Sequence, residues 1–178
     1  MYKFITFEGI DGVGKTTIGK MIAGVIRANF ISTPYFRTHA PKDCDDKFSY
    51  YLKDIIDLQG FIRDELKSNY IVCDRYIHST VAYHREELVG EVDVLYNKYN
   101  LIKPDLVILL TADFEERLLR IKNREMITGV INEMDHQSDF LRAVDLRFKQ
   151  MSDIVIFDTK NKSISTICQQ IREIIYEI

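Results

Sequence analysis

The apolar positions of this chain fall into short runs that alternate with longer stretches of helical period. Lys3-Phe4-Ile5-Thr6-Phe7-Glu8 is β-branched and aromatic and predicts a first strand. Ile18, Ile22, Val25 and Ile26 then recur at helical spacing. Residues 30–36 predict a second strand, irregular or at an edge because it contains Pro34. A polar loop follows through Arg37-Thr38-His39-Ala40-Pro41 and on to Lys47. From about 48 to 67, one side of a helix carries Leu52, Ile55, Ile56, Gln59, Ile62 and Leu66. Tyr70-Ile71-Val72-Cys73 and Leu106-Val107-Ile108-Leu109-Leu110 are unbroken apolar runs, the pattern of parallel strands buried on both faces. Between them the spacing predicts helices from about Ser79 and over about 92–99. Helices over 113–124 and about 140–151 flank a polar stretch, 125–139, that has no clear period. Ile154-Val155-Ile156-Phe157 reads as the last strand. Ile164, Ile167, Cys168, Ile171, Ile174, Ile175 and Ile178 then mark the apolar face of a closing helix.

Strands alternating with helices imply an α/β fold whose parallel sheet is covered on both sides. A chain of 178 residues accommodates one such domain, spanning 1–178, with a substantial core. The net charge of −3 gives no overall basic pull, so neither a nucleic acid polymer nor an anionic membrane is an expected partner. No apolar run is long enough to span a membrane, and the first strand begins too early to leave room for a signal peptide. Cys44, Cys73 and Cys168 are scattered, which favours reduced thiols and a cytoplasmic setting.

Chemistry enters at Gly9-Ile10-Asp11-Gly12-Val13-Gly14-Lys15-Thr16, followed by Thr17. This stretch fits G-x-x-x-x-G-K-[ST] and lies between a strand and a helix, the context the motif requires. The glycines let successive N–H groups turn inward on phosphate oxygens, and the helix N-terminus adds partial positive charge. Lys15 is placed to reach the β/γ-phosphates, and the Thr16 hydroxyl to ligate Mg²⁺. Asp74 ends the third strand, where ligand chemistry gathers in such sheets. It suits either an acidic group that organises Mg²⁺ or a helix N-cap. His78 and His84 flank residues 79–83 and are candidates to titrate near neutrality, His78 doubling as a helix-start residue.

Residues 7–17 resemble the P-loop of thymidylate kinases, and Asp74-Arg75-Tyr76-Ile77-His78-Ser79-Thr80-Val81-Ala82-Tyr83 resembles that family's D-R-Y-x-x-S-T-x-A-Y motif. Pro104-Asp105-Leu106, then Leu118-x-Arg120-x-x-x-Arg124, is similar to its next landmark. The resemblance implies a P-loop NTPase with three α/β/α layers, a five-stranded parallel sheet and a lid over about 125–139. It implies transfer of the γ-phosphoryl of ATP, with Mg²⁺, to a nucleoside monophosphate, foremost dTMP to dTDP, in a homodimer. The P-loop residues Gly9, Asp11, Gly12, Val13, Gly14, Lys15, Thr16 and Thr17 would hold ATP together with Arg120 and Arg124. Lys15, Asp11, Asp74, Arg75 and Arg120 would be catalytic, and Thr16 and Asp74 would serve the metal. Asp11, Arg37, Tyr51, Arg75, Ser79, Tyr83 and His84 would form the acceptor site, Arg37 meeting its phosphate and Tyr51 stacking on its base.

The chain departs from the family's pattern at several points. The loop after the second strand usually reads R-E-P-G-G-T but here is Arg37-Thr38-His39-Ala40-Pro41, and the following segment is short. Ile55 stands where an arginine commonly follows the stacking aromatic, and His84 where glutamine commonly reads thymine. Gly12 occupies the position of one branch's catalytic arginine, and no Lys or Arg lies between Arg124 and Arg142, where the other branch's lid supplies it. Arg120, Arg124 or Arg142 is then expected to supply the charge. The same residues admit two other readings: an ATP-dependent kinase of a nucleoside or another small hydroxyl compound, and a nucleotide-binding regulatory protein with little transfer activity.

Overall fold

The computed structural model describes residues 3–177. β1 (Phe4–Glu8) is buried along its whole length and forms the centre of the sheet. It pairs with β3 (Ile71–Asp74), Phe7 beside Asp74, and with β4 (Leu106–Thr111), Ile5 beside Leu106. β2 (Asn29–Ser32) and β5 (Ile154–Asp158) complete a wholly parallel sheet of order β2-β3-β1-β4-β5. The helices are α1 (Lys15–Ile26), α2 (Lys47–Glu65), α3 (Ile77–His84), α4 (Val92–Lys98), α5 (Phe114–Thr128), α6 (Ser138–Lys149) and α7 (Ile164–Glu177).

Topology sets the layers. The crossing from β1 to β2 runs one way along the sheet, and the crossing from β2 to β3 runs back. Right-handed crossovers therefore put α1 and α2 on opposite faces. α1 packs with α7, whereas α2, α3 and α6 form the second layer. The connections leaving β1 and β3 diverge to these two faces and open a crevice beyond the carboxyl ends of the strands.

Most predicted elements are present, with shifted ends. β2 stops at Ser32: the Thr33 N–H still bonds to the Asp74 carbonyl at 3.1 Å, but Pro34 has no donor with which to extend the ladder. α3 begins at Ile77 rather than Ser79, with Tyr76 at its cap position, so Asp74 is not its N-cap. Within the stretch without a period, α5 continues to Thr128 and ends on Gly129 at φ +68°. A 3-10 turn at Glu133–His136 then leads into α6, which starts at Ser138. Val25, Ile56 and Ile164 fit the apolar spacing yet are exposed, because their stripes are wider than the faces that pack. Ile178 lies outside the described residues.

Ile55 of α2 is only 1% exposed and belongs to the hydrophobic core. Ile55→Ala is expected to destabilise the fold by about 2–4 kcal/mol, measured by urea unfolding, because the cavity it leaves adds to the lost burial.

Candidate active site

The glycine-rich loop lies at the mouth of the crevice. Gly9 has φ +130°, and a Cβ there would stand 2.5 Å from the Leu110 carbonyl oxygen. Gly12 has φ +88°, and its Cβ would meet Arg117 Cγ at 2.7 Å. Only glycine fits either position. α1 starts directly after the loop at Lys15, whose ammonium is buried and donates to the Ile10 carbonyl at 2.8 Å. Burial lowers the Lys15 pKa and the nearby Arg75 charge lowers it further, against the pull of Asp11, 3.8 Å away. A cavity of about 450 Å³ opens over residues 11–17 and is also lined by Arg120 and Arg124.

Asp74 and Thr16 meet beside this loop. The Thr16 hydroxyl donates to Asp74 Oδ2, whereas Asp74 Oδ1 is buried without a hydrogen-bond partner. An orphaned carboxylate oxygen next to a threonine hydroxyl is an oxygen donor set that suits Mg²⁺.

Arg75 joins the loop to a second space. Its backbone is left-handed at φ +71°, and its N–H is held by the Phe7 carbonyl at 3.0 Å. Such a conformation in a non-glycine residue persists only where its surroundings impose it. Nη1 donates to the Gly9 carbonyl at 3.3 Å and to Ser79 Oγ at 3.2 Å. Nη2 donates to Asp11 Oδ1 at 2.6 Å and to the Tyr83 hydroxyl at 3.4 Å. Burial alone would raise the Asp11 carboxyl, but Arg75 and Lys15 outweigh it and hold the group well below the usual range. Tyr83, pushed up to about 12 mainly by burial and against the effect of Arg75, stays a phenol.

The second cavity, about 820 Å³, shares Asp11 with the first and is lined by Tyr51, Arg75, Ser79, Tyr83 and His84. Tyr51 and His84 stack with centroids 5.3 Å apart, so the aromatic expected to face a base already carries an imidazole on one face. Burial, then Lys47, pushes His84 down to about 4, away from the neutral range expected of it. Arg37 is not among the lining residues. Its guanidinium donates to Asp57 at 2.5 Å, because the buried Asp54 carboxylate accepts the N–H groups of Tyr35, Phe36 and Arg37 and fixes the loop in that direction. His78 is fully buried and holds both Asp153 oxygens at 3.1 Å, tying α3 to the segment before β5.

The arginines of α5 divide their work. Arg120 reaches the Val13 carbonyl and Thr159 Oγ1, each at 3.3 Å, and pairs with Glu116 at 2.5 Å. Arg124 pairs with Asp135 of the 3-10 turn, and Arg142 of α6 stands over the Phe114 ring at 4.0 Å. Arg117 is fully buried beneath the loop.

Residues that local patterns did not mark hold the site together. Glu8 accepts the Tyr76 N–H at 2.8 Å and the Ser79 hydroxyl at 2.5 Å, so Ser79 supports Arg75 as well as lining the cavity. Asp54 and Gln59 interrupt the apolar face of α2, which is the one sequence signal they give: buried polar groups need partners. Gln59 donates to Tyr76 at 2.9 Å and accepts the Ile102 N–H at 2.7 Å.

Comparison with known proteins agrees with this architecture. The family model for thymidylate kinase matches residues 45–171. A probable thymidylate kinase of Methanocaldococcus jannaschii is 32% identical over 94% of this chain and 93% of its own. A thymidylate kinase of Brachyspira hyodysenteriae is 28% identical over 98% and 94%. The structure of thymidylate kinase from Candida albicans superposes with a TM-score of 0.78 at 24% identity, covering 99% of this chain and 92% of the other. That superposition takes in the glycine-rich loop, which precedes the matched segment. With the family model matching most of the chain and a relative 32% identical along nearly all of it, the chain belongs to the thymidylate kinase family.

Proposed function

We propose that this protein transfers the γ-phosphoryl group of ATP to dTMP, giving dTDP. The observation that carries the reading is Asp11, which lines both cavities and is clamped between Lys15 and Arg75. One cavity would take the donor triphosphate on residues 9–17, Arg120 and Arg124. The other would take the acceptor. Mg²⁺ would be held by Thr16 and Asp74 and would offset charge on the donor phosphates. Arg75 binds acceptor phosphate from its fixed position, Asp11 accepts a hydrogen bond from the sugar, and Tyr51, Tyr83 and His84 line the base. Exposed Tyr35, Phe36 and Ile56 offer an apolar surface in keeping with a homodimer.

The electrostatics favour a monophosphate over a nucleoside acceptor. A phosphate oxygen attacks as an anion and needs positioning rather than deprotonation. A hydroxyl acceptor needs a base poised near the working pH. Asp11 is held too acidic for that by its two cations, and His84 at about 4 is a weak base. Glu8, raised by burial, is already engaged by Ser79 and Tyr76.

The test is an ADP-release assay with ATP and Mg²⁺, offering dTMP, thymidine and no acceptor, with products identified by mass. Diphosphate from dTMP is expected; product from thymidine alone, or from neither, contradicts the reading. Lys15→Ala is expected to lose more than about 100-fold in turnover, since it removes a charge that stabilises the transferring group. Arg37→Ala is expected to change the dTMP KM by less than about threefold, because its guanidinium is committed to Asp57.

His84 gives a pH signature. Its folded pKa is depressed, so the unfolded chain binds the extra proton and His84 costs stability as pH falls from about 6.5 towards about 4. His84→Gln is expected to flatten that part of the stability–pH curve. The rate–pH profile above about pH 6 should keep its shape, because the imidazole is neutral throughout that range.

A further inference from the structure

Arg117 is the largest fully buried side chain among the described residues, and it makes no ion pair. Asp135, the acidic residue beside it, gives Oδ2 to Arg124, and its Oδ1 is buried without a hydrogen-bond partner. The Arg117 guanidinium instead donates to two backbone carbonyls, Asp11 O through Nη1 and Asp135 O through Nη2, each at 3.0 Å. Its Nε has no partner, and the plane lies over the Phe114 ring at 4.5 Å. Asp135 and Asp11 attract this charge from beyond ion-pair distance, but its hydrogen bonds go only to carbonyl dipoles, and burying it costs stability that an apolar side chain of similar volume would not. Packing alone does not call for an arginine here. Its two acceptors do.

One acceptor belongs to the phosphate loop and the other to the 3-10 turn of the lid. The Arg117 stem occupies the space that a side chain at Gly12 would need, with Cγ 2.7 Å from the Cβ position. Its head fixes the carbonyl of the 11–12 peptide. In a trans peptide the C=O and N–H point in opposite directions, so anchoring the Asp11 carbonyl also fixes the direction of the Gly12 N–H. At the other end, Asn132, Glu133 and Met134 of the anchored turn line the acceptor cavity. One guanidinium thus spans the donor loop and the acceptor wall.

We propose that Arg117 is a positioning residue for phosphoryl transfer: it couples the phosphate loop to the lid, so that the donor and acceptor subsites are set by one rigid fork. The proposal rests on the kinase reading for its effect on rate, but the coupling itself can be measured with ADP alone. A lysine keeps the charge but is a point donor that lacks the planar fork needed to hold two carbonyls at fixed geometry.

The experiment compares wild type, Arg117→Lys and Arg117→Met in the whole chain, with thermal unfolding recorded for each so that rates are taken well below the transition. In wild type, Mg²⁺-ADP at the loop is expected to slow amide hydrogen exchange in residues 129–137. Both variants should lose that remote protection while keeping protection in residues 9–17. With ATP and dTMP, kcat is expected to fall at least about 10-fold in Arg117→Lys and further in Arg117→Met, with each KM within about threefold of wild type. A merely structural arginine would lower the unfolding temperature and leave kcat and the remote protection unchanged; that result overturns the proposal, as does a change confined to KM. If Arg117→Met does not fold, Arg117→Lys decides. If wild type forms no dTDP, the kinase reading fails, and the exchange data still decide whether Arg117 couples loop and lid.

Discussion

Arg75 reaches Asp11 across the gap between β3 and β1 because its backbone turns left-handed at the end of β3, directing the side chain over the loop that follows β1. That turn is held by the Phe7 carbonyl on one side, and by Glu8 through Tyr76 and Ser79 on the other. The pair does several things at once. It keeps Asp11 ionised, it fills four acceptors around one guanidinium, and it marks the boundary between the two cavities. Remove it and the loop, α3 and the cavity wall lose their common anchor.

Positive charge is distributed so that none of it comes from the segment between Arg124 and Arg142. Lys15 and Arg75 stand at the loop, Arg120 and Arg124 approach from α5, and Arg117 supports the loop from beneath. Phosphoryl transfer is catalysed mainly by positioning and by fixed charge, so in the proposed reaction these cations would stand in for one between Arg124 and Arg142. The acceptor side follows the same logic. With Arg37 tied to Asp57 and Ile55 in the core, Arg75 is the arginine that lines the second cavity, the proposed acceptor site.

What the sequence revealed about the fold and the site follows the range of the interactions. Strand β1, the loop from Gly9 to Thr16 and the start of α1 are contiguous, so their chemistry and conformation could be read together. Asp74 could be marked as a candidate because it ends an unbroken apolar strand, whereas Arg75 stood out only through the likeness of its motif to the family's. Arg37 was misplaced because its direction is set by Asp54, on a helix 17 residues later in the chain. Arg117 went unmarked because its partners, Asp11 and Asp135, lie far from it in sequence and accept through their backbones, which carry no residue signature. The end of β2 depended on the missing donor of Pro34, a local effect that was visible. The true widths of the helix faces at Val25, Ile56 and Ile164 depended on the neighbours each helix meets.

In the proposed reaction the acceptor attacks through a phosphate oxygen and so needs no base poised near neutrality. Its most direct test is the initial rate of transfer from ATP to dTMP and to thymidine, followed side by side across pH with each product identified. The expected product is dTDP, formed at a rate that declines only as the acceptor phosphate dianion takes up a proton, near its second pKa of about 6. Faster phosphorylation of thymidine, with a rate that rises as a protein base is deprotonated, would contradict it.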